Sequence, residues 1–339
     1  MKRKIVFWPS TDDLNLASQR IRCFDVVNRL KAQGLDVSVQ FEPRVCDVLV
    51  LSKRYDNASI EHALNLKQEN GTKIVLDICD NFFYFDVASS AAKLRALELK
   101  DALTKADLVT CSSEFLAEQI GLRVSTEVRI TVVEDFVDRS LSTVRRPFFL
   151  QSLSDFRTLI LNLQLASSGR TKFLWFGNSG GNFARSGISA VEGILDVLNT
   201  WNAESPISLT ILSNSRRSLS YFSQRSEFPI YYASWNARNF EKLAVLHDCC
   251  LLPVDENPFT YAKSANRLTS CLKLKIPVLA TGIPSYLAYS RFAFLDPWNS
   301  SISDVHAYMK RANFEPVHQF LENMESEVLD KWIKTLESV

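Results

Sequence analysis

The sequence predicts an α/β protein of two doubly wound domains that face each other across a cleft. Two observations support this fold class. The chain has 339 residues, enough for two domains of about 150 residues each. In both halves, short apolar runs alternate with longer amphipathic segments. Parallel sheets produce this alternation because each buried strand needs a crossover helix before the next one.

The first half of the chain fits a parallel sheet with helices between its strands. Strands are predicted at 4–8, 37–41, 47–51, 73–78, 108–111 and 129–133, and helices at 17–33, 59–69 and 91–106. Gly34 and Gly71 follow the first two helices, at the position where glycine commonly ends a helix. Ser112 and Ser113, followed by Glu114, resemble the start of another helix.

A boundary between domains is predicted where the chain becomes polar. Residues 138–147 contain three arginines and end in Pro147. The first domain is therefore assigned to residues 1–145 and the second to residues 146–312. Residues 313–339 are set apart as a C-terminal helix, because apolar residues from Phe314 to Leu336 recur at spacings of mostly three and four.

The second half repeats the alternation of strands and helices. Strands are predicted at 172–176, 208–212, 230–233, 249–254 and 277–280, and helices at 148–165, 188–201, 239–246 and 264–273. Ser264 is the predicted N-cap of the helix at 264–273. In doubly wound sheets, ligands bind beyond the carboxyl ends of the strands, so the junctions from strand to helix are the places to search for a site.

The charge balance argues against a nucleic-acid-binding protein. Lys and Arg together number 39 and Asp and Glu number 38, which gives a formal charge of +1. A chain with this balance has no overall positive field to hold a polyanion. A local basic site for a phosphate is still compatible with it.

Cysteine and histidine usage predicts a reducing, cytoplasmic setting without a protein-built metal site. The seven cysteines form no CxxC pair, which is typical of buried thiols. The four histidines have no HxH, HExxH or cysteine partner at ligand spacing. Too few apolar residues precede Pro9 for a signal-peptide core, and no run approaches the ~20 apolar residues of a spanning helix.

The first candidate site follows the strand at 172–176. Residues 173–182 read FLWFGNSGGN and contain Gly177, Asn178, Gly180 and Gly181. Glycines let backbone N–H groups approach a phosphate closely, and the following helix adds its positive N-terminus. The stretch is neither a GxGxxG fingerprint nor a P-loop. A tight structural turn is the alternative interpretation.

The second candidate site follows the strand at 249–254. A polar loop with Asp255 and Glu256 leads to a helix start flanked by Lys263 and Arg267, with Ser264 and Asn266 between them. Free N–H groups, a lysine point charge and an arginine fork together would hold a diphosphate. The alternative is a capped helix whose charges are solvated.

The sequence resembles the type B (GT-B) glycosyltransferases. Among them, it resembles those of bacterial polysaccharide assembly that are related to the retaining sucrose-synthase-like group. The matching segments, in order, are SQRIR at 18–22, DICD at 77–80, ADLVTCSS at 106–113, VVEDFVD at 132–138, LWFGN at 174–178, KSANR at 263–267 and IPVLAT at 276–281. The resemblance implies two Rossmann-like domains, with the nucleotide sugar held by the C-terminal domain and the acceptor by the N-terminal domain. It also implies that the final helix crosses back over the N-terminal domain.

The sequence departs from the family at its two usual donor-binding glutamates. Counting back from Pro277 places these positions at Ser270 and Ala262, and Lys275 replaces a customary glycine. Ser270 is retained as a donor-side candidate. Asp255 or Glu256 would then supply the missing carboxylate, unless the donor is bound weakly.

Candidate acceptor-side residues lie near strand ends of the first half. Asp77 and Asp80 flank the end of the strand at 73–78, where a carboxylate would accept an acceptor hydroxyl proton. Aspartates at strand ends are also common turn formers. The remaining candidates for an acceptor or phosphate contact are Asp12, Asp13, Arg20 and Arg22.

The resemblance implies sugar transfer from a nucleotide sugar to an acceptor hydroxyl of a cell-surface glycan. Asp80, Lys263 and Arg267 are the predicted catalytic residues, since the two cations would stabilise the departing phosphate. No DxD triplet is present, so transfer is expected to need neither a metal nor a cofactor. A lipid-linked acceptor would bring the protein to the inner face of a membrane.

Three other functions are compatible with the sequence. A nucleotide-sugar epimerase shares the two-domain architecture but needs no acceptor. A degenerate, non-catalytic binding partner would explain the missing carboxylates at Ala262 and Ser270. A periplasmic solute receptor also has two α/β lobes, but we expect no export signal here.

Overall fold

The computed structural model describes residues 3–86, 89–124, 128–138, 158–166, 168–180, 184–216 and 219–339. The predicted site residue Gly181 lies outside these ranges, and so does the predicted domain boundary at 145–146. Of the helix predicted at 148–165, only residues 158–165 fall within them, and they are helical. The division into residues 1–145 and 146–312 therefore stays a prediction.

The N-terminal half contains a parallel sheet of six strands. They are β1 (Lys4–Pro9), β2 (Asp36–Val39), β3 (Val48–Ser52), β4 (Lys73–Ile78), β5 (Leu108–Cys111) and β6 (Ile130–Val132). Their order in the sheet is β2-β1-β3-β4-β5-β6. Strands β3, β4 and β5 are buried nearly throughout, as expected for strands that are covered by helices on both faces.

Four helices connect these strands. Helix α1 runs through Ala17–Gln19, a π-helical segment at Arg20–Asp25 and Val26–Ala32; α2 is Asn57–Asn70, α3 is Ser90–Lys105 and α4 is Glu114–Gly121. The side chains of Asp56, Ser89 and Ser113 cap α2, α3 and α4 by accepting backbone N–H bonds. The helix start predicted at Ser112–Ser113 is therefore confirmed.

The C-terminal half contains a second parallel sheet of six strands. They are β7 (Thr171–Gly177), β8 (Ile207–Ser213), β9 (Ile230–Ser234), β10 (Cys249–Leu252), β11 (Val278–Ala280) and β12 (Phe294–Leu295). Their order is β12-β11-β10-β7-β8-β9. The helices are α5 (Ser189–Gly193), α6 (Leu195–Glu204), α7 (Leu219–Arg225), α8 (Phe240–Ala244), α9 (Pro258–Tyr261), α10 (Asn266–Lys273), α11 (Ile302–Arg311) and α12 (Glu315–Glu337).

In both sheets, the chain places strands first on one side of the first strand and then on its other side. The chain adds β2 on one side of β1 and then places β3 on the other. In the second sheet it adds β8 and β9 on one side of β7 and then returns to place β10 on the other. Ligands of doubly wound sheets bind beyond the carboxyl ends of the two strands at this switch point. The predicted α/β class with two doubly wound domains is confirmed.

The last helix packs on both halves. Val317 and Leu321, near the start of α12, belong to the apolar core beside the second sheet. Val328, Trp332 and Leu336, farther along the same helix, belong to the core beside the first sheet. The predicted return of the C-terminal helix to the N-terminal half is therefore confirmed, and it joins the two halves through buried apolar surface.

Three local predictions are corrected. The helix predicted at 264–273 begins only at Asn266, and its N-cap is Ala265, not Ser264. The helix predicted at 188–201 is interrupted at Ile194 and divided into α5 and α6. Within the predicted polar loop, Asn257 forms a capping box with Thr260, which stabilises the one-turn helix α9. None of the helices in the described ranges is both long and apolar enough to span a membrane.

Candidate functional site

The switch point of the second sheet lies between Gly177, the last residue of β7, and the segment that follows β10. A Cβ atom at Gly177 would lie 3.1 Å from Trp175 Cζ2 and 3.2 Å from Nη1 of Arg267. Glycine therefore lets the arginine side chain lie directly against the strand end. The structure thus brings Arg267, from the second candidate site, next to Gly177, from the first.

The guanidinium of Arg267 is held in place by two groups of its own domain. Its Nη1 donates to the carbonyl oxygen of Phe176 over 3.3 Å. It also interacts electrostatically with the Tyr286 side chain, which is 1% exposed. Burial raises the pKa of the Tyr286 hydroxyl and Arg267 opposes the rise. The guanidinium group of Arg267 is thus oriented before any anion binds.

The loop after β7 depends on glycine for its shape. Gly180 has a φ of +134° and Gly187 a φ of +78°, both in the region that favours glycine. A Cβ at Gly187 would lie 2.3 Å from the carbonyl oxygen of Asn178. Asn178 is exposed, and its side-chain oxygen accepts a 3.3 Å bond from the Gly180 N–H.

The start of α10 faces the N-terminal half. No side chain caps the helix at Ala265, so its first N–H groups are available to an anion. The Ser264 hydroxyl, which was predicted to be the cap, instead donates to Asp135 over 2.5 Å. Nδ2 of Asn266 lies 3.4 Å from the same carboxylate oxygen. Both side chains therefore contact the other half of the molecule.

Asp80 lies between two lysines, one from each half. Lys53 forms an ion pair with one carboxylate oxygen and Lys263 with the other. Asp80 is 7% exposed. Burial alone would raise the pKa of Asp80, but Lys263 and Lys53 together hold it well below its usual range. The carboxylate therefore stays ionised at neutral pH and links the two halves across the cleft.

The cations beside Asp80 lie on aromatic rings. The Lys263 Nζ is 4.1 Å from the ring centre of Phe259. The Lys53 Nζ is 5.6 Å from the ring centre of Phe82. The two rings are themselves 6.3 Å apart. The ion pairs are therefore flanked by apolar surface, where charge interactions are stronger than in water.

Three further donor-side candidates bind groups of their own domain. Asp255 accepts a 2.5 Å bond from the Ser189 hydroxyl and pairs with Arg185 at 3.0 Å. Glu256 is exposed and interacts electrostatically with the Tyr261 side chain. Ser270 is 7% exposed and donates to the carbonyl of Asn266 in its own helix.

The two family glutamate positions are both enclosed. Ala262 is 0% exposed and packs with the N-terminal core, where its carbonyl oxygen accepts a 2.9 Å bond from Ser113. A glutamate at this position would place a carboxylate in apolar surroundings at a large desolvation cost. Ser270 is likewise buried. The structure thus gives a packing reason for the absence of both carboxylates.

The acceptor-side candidates divide into exposed and buried residues. Asp12 and Asp13 are exposed on the loop after β1. Arg20 is 2% exposed and forms an ion pair with Asp138, in which Nη2 of the arginine lies 2.6 Å from a carboxylate oxygen. Arg20 therefore holds the segment that leaves the first sheet.

Arg22 and Asp77 form a buried pair beneath the cleft. Each side chain is 2% exposed, and the shortest distance between them is 2.6 Å. Arg22 also pairs with Asp135 at 2.9 Å, and Asp77 accepts a 2.8 Å bond from Thr110. Among the residues predicted on the acceptor side, Asp80 is the one that the structure brings to Lys263.

Two residues of the site were not predicted from the sequence. Lys53 follows the buried strand β3 directly and has a φ of +55°, which is uncommon for a residue with a side chain. Asp135 joins Arg22 to Ser264. The position of Lys53 directly after a buried apolar strand is a sequence signal that could have identified it as a candidate site residue. No sequence signal distinguished Asp135 from its neighbours Glu134 and Asp138.

Comparisons with solved structures identify the fold. The alignment with HepE from Anabaena, in complex with UDP and glucose, covers 99% of this chain and 100% of HepE, at 12% identity and a TM-score of 0.62. The alignment with sucrose-phosphate synthase from Thermosynechococcus elongatus covers 99% of this chain and 99% of that protein, at 12% identity and a TM-score of 0.66. The alignment with a UDP-forming trehalose-phosphate synthase from Burkholderia vietnamiensis covers 92% of this chain and 77% of that protein, at 12% identity and a TM-score of 0.55.

No protein-family model matches the chain, and no curated protein sequence matches it. The structural similarity shows that the chain has the two-domain fold of the type B glycosyltransferases. Within the described ranges, no three His, Cys, Asp or Glu side chains are grouped so that they could hold a metal ion.

Proposed function

We propose that this chain is a glycosyltransferase that moves a sugar from a nucleotide-sugar donor to an acceptor hydroxyl. The observation that carries the proposal is the position of Arg267 against Gly177 at the switch point, together with the uncapped start of α10 and Lys263 two residues before its N-cap. These groups offer two cations and free N–H donors where a doubly wound sheet binds its ligand. The UDP complex of HepE, a protein of the same fold, supports this proposal.

The donor diphosphate would bind between Lys263 and the start of α10, with Arg267 beside it. During transfer, the bond between the anomeric carbon and the phosphate oxygen breaks, and a bond forms between that carbon and the acceptor oxygen. Negative charge develops on the departing phosphate, where Lys263 and Arg267 stabilise it. The hydroxyl proton leaves with the nucleoside diphosphate.

Asp80 would orient the acceptor. Its carboxylate stays ionised between Lys53 and Lys263, so it accepts a hydrogen bond from the acceptor hydroxyl rather than storing the proton. The ion pair with Lys263 joins the two halves of the chain. Donor binding would therefore draw Lys263 from Asp80 to the phosphate and free one carboxylate oxygen for the hydroxyl. The exposed residues Asp12 and Asp13 are proposed to contact the rest of the acceptor.

The proposed reaction needs no metal or cofactor, because the two cations supply the positive charge that the leaving group requires. The experiment is transfer measured with and without EDTA. Equal rates support the proposal, and loss of transfer that a divalent ion restores would overturn this part of it. We place the reaction in the assembly of a cell-surface glycan at the cytoplasmic side of the membrane, on the resemblance to bacterial polysaccharide enzymes.

A nucleotide screen tests the donor site. Thermal unfolding of the wild type is followed with UDP, GDP, CMP, dTDP and ADP, since a ligand that binds only the native state raises the midpoint. We expect one nucleotide to raise it, and the variant Lys263→Ala/Arg267→Ala to lose the shift. Lys310→Ala/Lys334→Ala is the matched control, because both lysines are exposed on helices. No shift with any nucleotide would contradict the proposal.

A non-catalytic binding partner is the second candidate function. Ala262 and Ser270, the two positions without their family carboxylates, favour it because both are buried. The two functions differ in one measurable outcome: a transferase forms a new glycoside, whereas a binding partner leaves the donor intact. Product analysis also excludes an epimerase, which would alter the sugar on its nucleotide without any acceptor.

A further inference from the structure

A cavity of about 420 Å³ lies on the C-terminal half, where α11 ends and α12 begins. Its walls include Arg291, Phe292, Tyr308, Arg311 and Phe314. The volume is within the range of about 300–1,000 Å³ that is typical of sites for small organic molecules. None of the donor-site residues described above lines this cavity.

The cavity lies at the opposite edge of the second sheet from the proposed donor site. Strand β12 runs parallel to β11, and Arg291 comes just before β12. Helix α11 follows β12 and returns across the sheet, so its last residue, Arg311, lies near the amino ends of the strands. The Tyr308 hydroxyl agrees with this position, because it accepts a 3.1 Å bond from the N–H of Val278, the first residue of β11. Since doubly wound sheets bind their usual ligands beyond the carboxyl ends, this cavity is a separate site.

The guanidinium of Arg291 contacts two aromatic rings. Its carbon is 4.5 Å from the ring centre of Phe292 and 4.7 Å from that of Phe320. The two ring centres are themselves 5.2 Å apart. Within the described ranges, Arg291 forms neither a hydrogen bond nor an ion pair. A cation–π contact uses none of the five N–H donors of an arginine, so they remain free to bind a ligand.

Arg311 brings a second positive charge to the cavity. Its Nε donates to the carbonyl oxygen of Ala307 over 3.2 Å, and it forms no ion pair in the part of the chain that the structure describes. The acidic side chain that acts on it is Asp304. That carboxylate instead accepts two hydrogen bonds from Ser301 at the start of the helix. The cavity therefore holds two guanidinium groups, and no described carboxylate forms an ion pair with either of them.

We propose that this cavity binds a small organic molecule through a phosphate monoester group, which Arg291 and Arg311 hold. A phosphate monoester carries a charge of about −1.5 to −2 at neutral pH, which matches two guanidinium groups. Its oxygens also accept the paired N–H groups of an arginine. A carboxylate would balance only one of the two charges.

The rest of the ligand is apolar or aromatic. Phe314, Ala312 and Pro316 line the cavity beside the two arginines, and an inorganic phosphate would leave this apolar surface uncovered. An apolar body attached to the phosphate would bury it. This binding site does not depend on the proposed function, because it shares no residue with the donor site.

Phenyl phosphate, in which a phosphate is joined to an aromatic ring, is the probe for this site. It is titrated into the full-length protein by calorimetry, beside inorganic phosphate and phenol. We expect saturable binding of phenyl phosphate, weaker binding of inorganic phosphate and none of phenol. Arg291→Gln and Arg311→Gln should each lose about tenfold in affinity, because each removes charge-assisted hydrogen bonds. Arg291→Lys retains the charge without the paired N–H groups and should lose less.

Two controls distinguish this cavity from the donor site and from general attraction to positive charge. Lys310→Gln removes an equal charge next to Arg311, at an exposed position that does not line the cavity, and should leave the affinity unchanged. The variant Lys263→Ala/Arg267→Ala should bind phenyl phosphate as the wild type does. Absence of saturable binding, an equal loss in Lys310→Gln or a loss in the donor-site variant would overturn the inference.

Urea unfolding accompanies the titrations, because Arg291→Gln also removes the contact with the two rings. Arg311 is exposed at the end of a helix, so Arg311→Gln should be within about 0.5 kcal/mol of the wild type in stability. A loss of affinity in Arg311→Gln at unchanged stability supports the inference. Unchanged affinity in this variant would show that the two arginines do not hold the phosphate together.

Discussion

Asp135 accepts a 2.5 Å hydrogen bond from the hydroxyl of Ser264, across the boundary between the two halves of the chain. The other oxygen of Asp135 pairs with Arg22 at 2.9 Å. Arg22 in turn holds Asp77 of strand β4. The position of Lys263 and of the start of α10 is therefore fixed by a buried ion network of the N-terminal half, and not by a cap within its own domain.

Replacing Ser264 by alanine should weaken nucleotide binding and lower stability. The change leaves Asp135 without its hydroxyl donor, so we expect a loss of about 1–2 kcal/mol in the free energy of unfolding. Because the helix start is less well held, we also expect nucleotide affinity to fall by about threefold to tenfold. Urea unfolding and nucleotide titration measure the two effects. Ser303→Ala, at an exposed position of α11, is the control; an equal loss there would contradict the assignment.

Replacing Asp80 by asparagine should change the acid dependence of stability. The pKa of Asp80 is lowered in the folded protein, so its ionised form contributes stability that is fully present above the unfolded pKa of about 4. This contribution is lost as the pH falls further. We expect Asp80→Asn to be less stable than the wild type by about 2 kcal/mol at pH 7, with the difference shrinking below about pH 4.

Urea unfolding at several pH values measures this difference. Asp101→Asn is a suitable control, because that carboxylate pairs with Lys105 on the surface of a helix. Surface pairs of this kind contribute about 0–1 kcal/mol. A difference between wild type and Asp80→Asn that stayed constant down to pH 3 would show that the carboxylate charge is not responsible.

The sheets were predictable because their strands are buried on both faces. Runs such as 73–78 and 108–111 stand out as short apolar stretches between amphipathic segments, and the structure places strands at Lys73–Ile78 and Leu108–Cys111. The crossover rule then fixes a parallel arrangement. The helix at 17–33 was also predictable, but not its π-helical middle, where Arg20 and Arg22 turn inward to Asp138 and Asp77.

The candidate site was only partly predictable, because long-range pairing determined several positions. Ser264 has the residue type and place of an N-cap, yet its hydroxyl contacts Asp135, 129 positions away in sequence. Lys263 and Asp80 were each selected for different reasons, and nothing in the sequence indicated that they form an ion pair. Local preference is a weak guide wherever a tertiary partner competes for the same group.

His247 should make the protein less stable in mild acid. The ring is 6% exposed, and burial lowers its pKa to about 4. Its Nδ1 lies 2.9 Å from the Leu243 carbonyl, and its Nε2 lies 2.7 Å from the Thr210 hydroxyl. Because the unfolded chain takes up a proton near pH 6.5, stability is complete above that pH and is lost as the pH falls toward 4.

The expected loss from this histidine is about 3 kcal/mol between pH 7 and pH 4. His247→Gln removes the titration, so its stability should fall less over the same interval, although it is less stable at pH 7. His318→Gln, at an exposed site, should follow the wild type. Parallel curves for wild type and His247→Gln would rule out this histidine as the source.

Trp332 should be the main contact by which the last helix holds the N-terminal half. The side chain is 1% exposed, its ring centre is 5.8 Å from that of Phe7, and the Arg22 guanidinium carbon lies 5.6 Å from it. Trp332→Ala leaves a cavity, so we expect a loss of about 3–5 kcal/mol in the free energy of unfolding. Trp332→Phe retains much of the apolar contact and should lose less.

Lys334→Ala is the control, because Lys334 lies two positions farther along the helix and is exposed. Its stability should be within about 0.5 kcal/mol of the wild type. Urea unfolding of the three variants distinguishes a buried anchor from a loosely attached helix, for which Trp332→Ala would cost no more than Lys334→Ala.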